Sequence, residues 1–494
     1  MAKLTTPFTL SLPQKRPGTP AYRWLYSSLR SEILAGRLRP GARLPSTRDL
    51  SRQYGLARGT IIKAFEQLRT EGYVDGAIGS GTFVSRVLPE GLLEVEAGRR
   101  KIPQSRERAF APSQYGKRVE LFPGYGNRPM RAFRANLPAL DLFPMELWTK
   151  LTVRCLRRMS TRHLMGCDPL GFAPLRQAIT DYLTRSRGVR CAPEQVVITT
   201  GVQEAIDMSA RLLLNPGDRV CVENPGYPGA VMVFQAIGAS VITVPVDDEG
   251  LAIDHLPQRD VRLLYITPGH QFPLGSTMSL PRRLALLEWS RRSGAVILED
   301  DYDSEYRYSG PPIPALQGLD TTGTVLYAGS FSKVLFPALR LGYIVIPAGL
   351  VPKFEAMQSL TLRHAPMIEQ LVLTEFLVEG HFGRHLRRMR QVYTERLGVL
   401  LEEADAKLGG LLDVSQIEAG LQTAGWLRGG ITALRAAAAA AKHNVDVTAI
   451  DSYNVGRSTR NGLQIGFAAL EPREIRRGVR DLAIALEGER RRKQ

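Results

Sequence analysis

Ser330-Phe331-Ser332-Lys333 and, seven residues on, Arg340 in Leu339-Arg340-Leu341-Gly342-Tyr343 bring an amine, two hydroxyls and a guanidinium into one short stretch. Around a phosphorylated aldehyde these groups divide the work. Hydroxyls and guanidinium take the phosphate oxygens, and the lysine, activated by desolvation and neighbouring positive charge, attacks the carbonyl carbon. Most lysines are surface charges, so the assignment needs company. It comes from Asp300-Asp301-Tyr302-Asp303, which follows the apolar run Val296-Ile297-Leu298-Glu299. A carboxylate there can pair with a protonated pyridine nitrogen, and a phenol can bond the ring's 3-oxygen. Taken alone, such an acidic cluster also reads as a solvated loop or a divalent-metal site.

Two further segments extend the pattern. Thr200-Gly201-Val202-Gln203 is a glycine turn opening a helix, whose free N–H groups and dipole suit a phosphate. Asn224-Pro225-Gly226-Tyr227-Pro228 is a rigid loop able to hold the Tyr227 ring against a flat heterocycle, although a buried structural tyrosine fits that segment equally well. Together the four segments point to pyridoxal 5'-phosphate (PLP).

The elements that must position these residues read as an α/β fold with a mainly parallel sheet from about residue 130 onward. Strand candidates are Val196 to Thr199, Arg219 to Glu223, Val241 to Pro245, Leu263 to Ile266, Val296 to Glu299, Thr324 to Ala328 and Tyr343 to Ile346. The chemistry-bearing residues follow directly on several of these runs, as expected of ligands gathered at the carboxyl ends of strands. After Gly420, Leu434 to Lys442 and then Val445-Asp446-Val447 read as a helix and a strand of a smaller subdomain.

The N-terminal end has a different character. The chain of 494 residues carries a formal charge of +17, and residues 1–118 alone hold 21 Lys and Arg against 9 Asp and Glu, the asymmetry that phosphate-backbone binding requires. Thr19-Pro20 is a cap and first-turn pair for a helix carrying Tyr22, Leu25, Leu29 and Ile33, and Gly36 stops it. Ser46, with Asp49 three residues on, caps a second helix that ends at Gly55. A third, about Arg58 to Glu71, buries Ile61, Phe65 and Leu68 and turns Arg58, Thr60 and Lys63 outward. Tyr73-Val74 and Thr82-Phe83-Val84 flank a loop containing Gly79-Ser80-Gly81, a hairpin wing. This order of elements lays the third helix in a major groove. Arg43 and Lys63 are candidates for phosphate contacts, which fix register rather than sequence.

Between the two parts, residues 87 to about 125 have scattered prolines and charges without a period and read as an extended tether. Cys155, Cys167, Cys191 and Cys221 lie far apart with no CxxC pair, as in reduced intracellular thiols rather than a zinc site or a disulfide framework. No apolar run approaches membrane-spanning length, and the N-terminus lacks the order of a signal peptide. A cytoplasmic location is expected.

Leu44 to Val84, with its Leu-Pro-Ser-Thr-Arg opening and Gly-Ser-Gly-Thr-Phe-Val wing, resembles the GntR-type winged helix. Residues 130–480, with Gly-x-Gln, Asn-Pro-Gly-Tyr, His-Gln-Phe-Pro-x-Gly, Glu-Asp-Asp-Tyr-Asp and Ser-x-Ser-Lys in order, resemble a fold-type-I aminotransferase. The whole chain resembles a MocR-type regulator. The resemblance implies a winged helix-turn-helix over 1–86, a linker over 87–128 and an aminotransferase-like domain over 129–494, with a large part at about 165–355 and a small α/β subdomain at about 356–494. It makes Lys333 the Schiff-base lysine, pairs Asp300 with the pyridine nitrogen and Tyr302 with the 3-oxygen, and stacks Tyr227 on the ring. Gly201, Val202, Gln203, Ser330, Ser332 and Arg340 hold the phosphate. Arg48, Arg58 and Thr60 fall on DNA-contacting positions, and Ser80 and Gly81 lie in the wing. It further implies double-stranded operator DNA as a partner and a head-to-tail, domain-swapped homodimer.

The chain departs from the family patterns in four places. Ala57 stands where a Ser or Thr commonly caps the third helix. Phe272 replaces the Asn that aminotransferases usually place before the Pro-x-Gly turn. Met165-Gly166-Cys167-Asp168-Pro169 lacks the Tyr often given to the partner's phosphate. Gln464 stands where the substrate-carboxylate Arg belongs, and a neutral amide cannot replace a bidentate guanidinium; Arg457 and Arg460 are the nearby alternatives. The reading is therefore a PLP-binding transcription regulator that responds to PLP itself or to an amino compound docked on the Lys333-linked cofactor, with genes of vitamin B6 or amino-compound metabolism as targets. The alternative is a competent aminotransferase.

Overall fold

The computed structural model describes residues 12–15, 17–77, 81–88, 110–122, 131–310, 313–456 and 460–491. The chain divides into two compact units, Met1–Phe110 and Ala111–Gln494.

In the first unit, α1 (Ala21–Leu34), α2 (Thr47–Tyr54) and α3 (Arg58–Thr70) enclose a small core in which Leu25, Leu29 and Ile33 meet Ile61, Ala64, Phe65 and Leu68. The spacing of these residues by three and four is the reason a helix forms there: it gives each helix one apolar stripe to bury. Pro20, rather than Thr19, occupies the N-cap of α1 and makes no side-chain bond. Ser46 Oγ accepts from Asp49 N at 3.2 Å and caps α2, while Gly55, in the left-handed region at φ 64°, ends it. Ala57 leaves α3 without a side-chain cap. β1 (Val74–Ala77) and β2 (Gly81–Val84) pair antiparallel with Val74 opposite Val84.

The second unit is built on an eight-stranded sheet of β3 (Val196–Thr199), β4 (Arg219–Asn224), β5 (Ser240–Asp247), β6 (Gly250–Leu251), β7 (Leu263–Ile266), β8 (Val296–Asp301), β9 (Val325–Ser330) and β10 (Gly342–Val345). Their order across the sheet is β3-β10-β9-β8-β7-β4-β5-β6. Pairings from β9 to β5 are parallel, whereas β10 is antiparallel to both its neighbours and β6 to β5. The central strands are buried along nearly their whole length because helices cover the sheet, and they are apolar until the carboxyl end, where β8 finishes in Glu299-Asp300-Asp301. A second, antiparallel sheet, β11 (Leu412–Val414), β12 (Gln422–Leu427), β14 (Gly462–Gly466) and β13 (Thr448–Ala449) in spatial order, packs with the long helices His381–Leu408 and Pro472–Arg491.

Two further expectations are corrected. The strand expected at Val445-Asp446-Val447 falls at Thr448–Ala449, because Asp446 N donates to Ala132 O at 2.7 Å and Val445 bridges Ala132 instead of the sheet. The stretch expected to be an extended tether contains a short helix, α4 (Gln114–Arg118), capped by Ser113. It packs on the helix Pro228–Ile237, with the Arg211 guanidinium 5.7 Å from the Tyr115 ring and Arg118 against Gly238. Five residues carry no readable period, and docking stabilises what propensity alone would not. Among the described residues no helix is long and apolar enough to cross a membrane.

Removing the α2 cap with Ser46→Ala is expected to cost the winged-helix unit about 1 kcal/mol, read as a lower denaturant midpoint. An unchanged midpoint would show that the cap bond contributes nothing.

Candidate functional site

The carboxyl edge of the large sheet is where the strands deliver their polar residues. Ser330 ends β9, Asp300 stands near the end of β8, and Thr199 ends β3, directly before the Gly201 turn. Because β10 runs against its neighbours, its first residue, Gly342, lies opposite both Ser330 and Thr199, and Arg340 arrives at the same edge. A Cβ at Gly342 would stand 2.9 Å from Gly201 Cα, so only glycine allows the two backbones this approach. Arg340 itself is left-handed at φ 52°, and its guanidinium lies beside Gly201.

Two hollows of about 810 and 490 Å³ open along this edge and share Phe122, Val202, Tyr227, Tyr302 and Lys333. The larger also meets Gly201, Gln203, Ser330, Ser332 and Arg340, and the smaller meets Asp300, Tyr265, Thr267, Phe272 and Tyr453. All the residues assigned to the cofactor from sequence thus line one continuous site, of the size that small-molecule ligands occupy.

The electrostatics differ from residue to residue. Lys333 Nζ donates to Asn136 O at 2.8 Å. Burial lowers its ammonium to about 8, against the pull of Asp303 and Asp300. At pH 7 about one lysine in ten is then the neutral nucleophile, compared with roughly one in three thousand for an ordinary lysine. Asp300 is pushed up to about 7 by burial, while Tyr265, whose hydroxyl donates to Oδ2 at 2.6 Å, pulls it back. Its other oxygen, Oδ1, is buried without a partner among the described residues. A buried carboxylate oxygen beside a cavity calls for a cationic N–H, and the protonated pyridine nitrogen of PLP is such a group. The neighbouring carboxylates are differently engaged: Asp301 Oδ2 meets Arg187 Nη2 at 2.6 Å and Tyr327 OH at 2.7 Å, and Asp303 Oδ1 meets His270 Nδ1 at 2.8 Å.

Tyr227 OH donates to Gln203 Oε1 at 3.0 Å, and Gln203 Nε2 donates to Gly229 O at 2.9 Å. The Gln203 side chain is therefore occupied, which leaves the main-chain N–H groups of the helix start Val202-Gln203 as the groups there suited to an anion. Ser330 Oγ accepts from Ser332 N at 3.2 Å. Tyr302 OH lies 3.0 Å from His270 Nδ1. Gln464 is fully buried on β14 and accepts from Tyr453 OH at 2.6 Å; the Tyr453 ring in turn meets Phe272 edge-on at 5.0 Å. Arg460 donates to Val246 O at 3.0 Å and lies 5.6 Å from the Trp426 ring, outside the described lining of the cavity. Arg457 lies outside the described residues.

Sequence reasoning missed Tyr265, Asn136 and Phe122 as site residues. Tyr265 sits inside a strand run whose end alone drew attention, and the other two act across long stretches of chain.

On the winged-helix unit, Arg43, Arg48, Arg58 and Lys63 are exposed, and Thr60 is half-buried in the first turn of α3. Lys63 Nζ lies 4.4 Å over the Tyr22 ring, and the Arg43 guanidinium lies against Gly81 at the base of the wing. Ser80 lies outside the described residues.

Residues 21–84 match the model for bacterial regulatory proteins of the gntR family, and residues 136–482 match the model for class I and II aminotransferases. A probable rhizopine catabolism regulatory protein, MocR of Rhizobium meliloti, is 37% identical over 470 residues, 94% of each chain. The chain belongs to the MocR-type regulators. Another relative of this MocR-type chain, the pyridoxine biosynthesis regulator PdxR of Corynebacterium glutamicum, is 29% identical over 94% of this chain and 95% of its own. Among solved structures, LysN, the α-aminoadipate aminotransferase of Thermus thermophilus complexed with N-(5'-phosphopyridoxyl)-L-leucine, superposes with a TM-score of 0.67 at 32% identity, over 73% of this chain and 92% of that one. PLP is the cofactor of this MocR-type fold, and the unpartnered Asp300 oxygen fits it.

If Lys333 is the lysine that takes up PLP, covalent loading is expected to speed up about tenfold per pH unit below 8 and to level off above it, since only a neutral amine is nucleophilic. A loading rate still climbing at pH 10 would contradict the lowered lysine.

Proposed function

We propose that this chain is a cytoplasmic, dimeric transcription regulator in which occupancy of the PLP cavity sets operator affinity. The observation that carries the reading is the wall of the cavity itself. Tyr115, Val119, Glu120, Leu121 and Phe122, residues of the connection that follows the winged helix, line the same hollow as Lys333 and Arg340. Phe122 lies 6.1 Å from the Tyr227 ring. A ligand in this hollow therefore touches the chain that leads to the DNA reader, and it shifts operator binding to the extent that it prefers one arrangement of that connection.

Within the site, Lys333 would hold the cofactor covalently, Asp300 its ring nitrogen and Tyr302 its ring oxygen. Tyr227 would stack on the ring, and the Gly201 turn, Ser330, Ser332 and Arg340 would take the phosphate. PLP supplies an electrophilic carbonyl and an electron-accepting ring. The Tyr453–Gln464 pair supports sensing over amino-acid turnover, because a phenol and an amide stand where a substrate carboxylate would need a guanidinium. The effector we favour is PLP itself, with genes of vitamin B6 supply as targets, and an amino compound on the loaded cofactor as the second candidate. Operator contacts fall to Arg48, Arg58, Thr60, Ser80 and Gly81, with Arg43 and Lys63 on phosphates.

In a mobility-shift assay on the upstream DNA of its own gene, saturating PLP is expected to change operator affinity severalfold for wild type and not for Lys333→Ala. Phe122→Ala is expected to keep the Lys333-dependent visible band while weakening that response. Unchanged affinity with PLP, together with a response to one amino compound, would move the effector role to that compound. A band that bleaches with amino acids and returns with a keto acid would establish a transaminase. For the reader, Arg58→Ala is expected to erase preference for operator over random DNA, by about 1–3 kcal/mol, whereas Lys63→Ala weakens both alike. Equal losses from the two variants would overturn the assignment of Arg58.

A further inference from the structure

Tyr302 is one member of a buried hydrogen-bonded group that the site described above does not account for. Its hydroxyl lies 3.0 Å from His270 Nδ1, and the same nitrogen lies 2.8 Å from Asp303 Oδ1. His270 and Asp303 are almost fully buried. The imidazole is clamped on its far side: Gly420, left-handed at φ 96°, lies so close that any Cβ there would overlap the ring. His270 Nε2 has no partner among the described residues, so the ring's hydrogen-bonding capacity is spent at Nδ1.

This arrangement dictates where protons sit. A carboxylate oxygen at 2.8 Å requires the hydrogen on Nδ1, because two lone pairs at that distance repel. Asp303 cannot relax by turning, since its Oδ2 accepts from Leu421 N at 3.2 Å. With Nδ1 already a donor, Tyr302 can offer it only a lone pair. The Gln422 carboxamide offers the hydroxyl no acceptor, because its Oε1 is taken by Asn136 N at 2.8 Å and its Nε2 makes no hydrogen bond among the described residues. With a lone pair turned to the Nδ1–H, the hydroxyl points its own hydrogen away from His270, toward the cavity it lines with Lys333.

We infer that Asp303 and His270 are positioning residues that fix Tyr302 as a hydrogen-bond donor into the cofactor cavity. The inference rests on the reading of Tyr302 as the partner of the PLP ring oxygen and adds what makes it a donor. The charged and titratable groups facing the hydroxyl are Asp300, Asp303 and Glu223, whose charges and the burial keep the phenol well above its ordinary range, so it holds its proton. His270 and the Lys333 nitrogen complete the surroundings. A ring oxygen that receives this hydrogen bond carries less negative charge and holds the proton it shares with the Lys333 nitrogen less tightly.

The test is a pH titration of the visible band of the PLP-loaded full chain. In Asp303→Asn the Leu421 N–H keeps the amide oxygen on its side and turns the NH2 toward His270, so Nδ1 becomes an acceptor and Tyr302 swings to donate to it. The midpoint is expected to rise by about one to two pH units, the worth of a hydrogen bond to a charged oxygen. Tyr302→Phe is expected to raise it similarly, and the double variant no further. Asp303→Glu, which keeps the carboxylate, is expected to stay near wild type. His270→Phe, which fills the ring's space without an N–H, provides a second route if Asp303→Asn does not fold, with a smaller rise. An unmoved midpoint in both Asp303→Asn and His270→Phe overturns the inference. So does a full additional shift from Asp303→Asn in the Tyr302→Phe background, which would make Asp303 a direct charge rather than an orienting group. A wild type without a Lys333-dependent band would instead remove the cofactor reading, and this inference would fall with it.

Discussion

The site depends on one strand running the wrong way. Had β10 lain parallel to β3 and β9, its amino end would sit at the far edge of the sheet, and Arg340 would be the length of a strand from Ser330 and the Gly201 turn. Reversed, it joins the three segments at a single point, and the absence of side chains at Gly201 and Gly342 lets the backbones close to contact. A cluster of main-chain N–H groups, hydroxyls and one guanidinium follows from that register, with Arg340 in a left-handed conformation. The parallel strands on the other side then deliver Asp300, Thr267 and Tyr227 along the same edge.

Around Lys333 the protein gathers more buried carboxyl groups than it neutralises. Glu223 and Asp300 are each pushed up to about 7 by burial, and both keep one oxygen without a partner among the described residues. Asp301 is the exception. Although burial would raise it, Arg187, Ser304 and Tyr327 overcome that and hold it low. Asp301 Oδ1 also lacks a partner among the described residues, so what sets Asp301 apart is its ion pair with Arg187, whereas Asp300 lines the cavity without an ion pair among the described residues and is the one suited to a cationic ligand.

Much of this was legible in the sequence, because strand ends can be read where an apolar run stops at a polar residue. The runs before Thr200, Asn224, Asp300 and Ser330 all mark true strands, and Ser46 is read correctly as a cap because its partner Asp49 is only three residues away. What was not legible acts at a distance. Tyr265 reaches Asp300 from the neighbouring strand, Asn136 reaches Lys333 from nearly two hundred residues upstream, and Leu421 and Gln422 come from the start of the small sheet's strand β12. No spacing rule links such pairs. His270 was visible within its motif, yet only the fold shows which groups its ring faces. The helix α4 escaped for the opposite reason, being too short to show a period and stabilised by the surface it docks on.

The buried pair of Gln464 and Tyr453 limits what position 464 can hold. An arginine returned to position 464 would meet a phenol and the edge of Phe272 rather than a carboxylate. An uncompensated guanidinium in a fully buried place costs several kcal/mol, a large share of any domain's stability. Recovery of a substrate clamp by that route would require Tyr453 to give way first, through an intermediate that has neither the old packing nor the new charge pair. The neighbours of Gln464 thus offer no counter-charge to an arginine at this position.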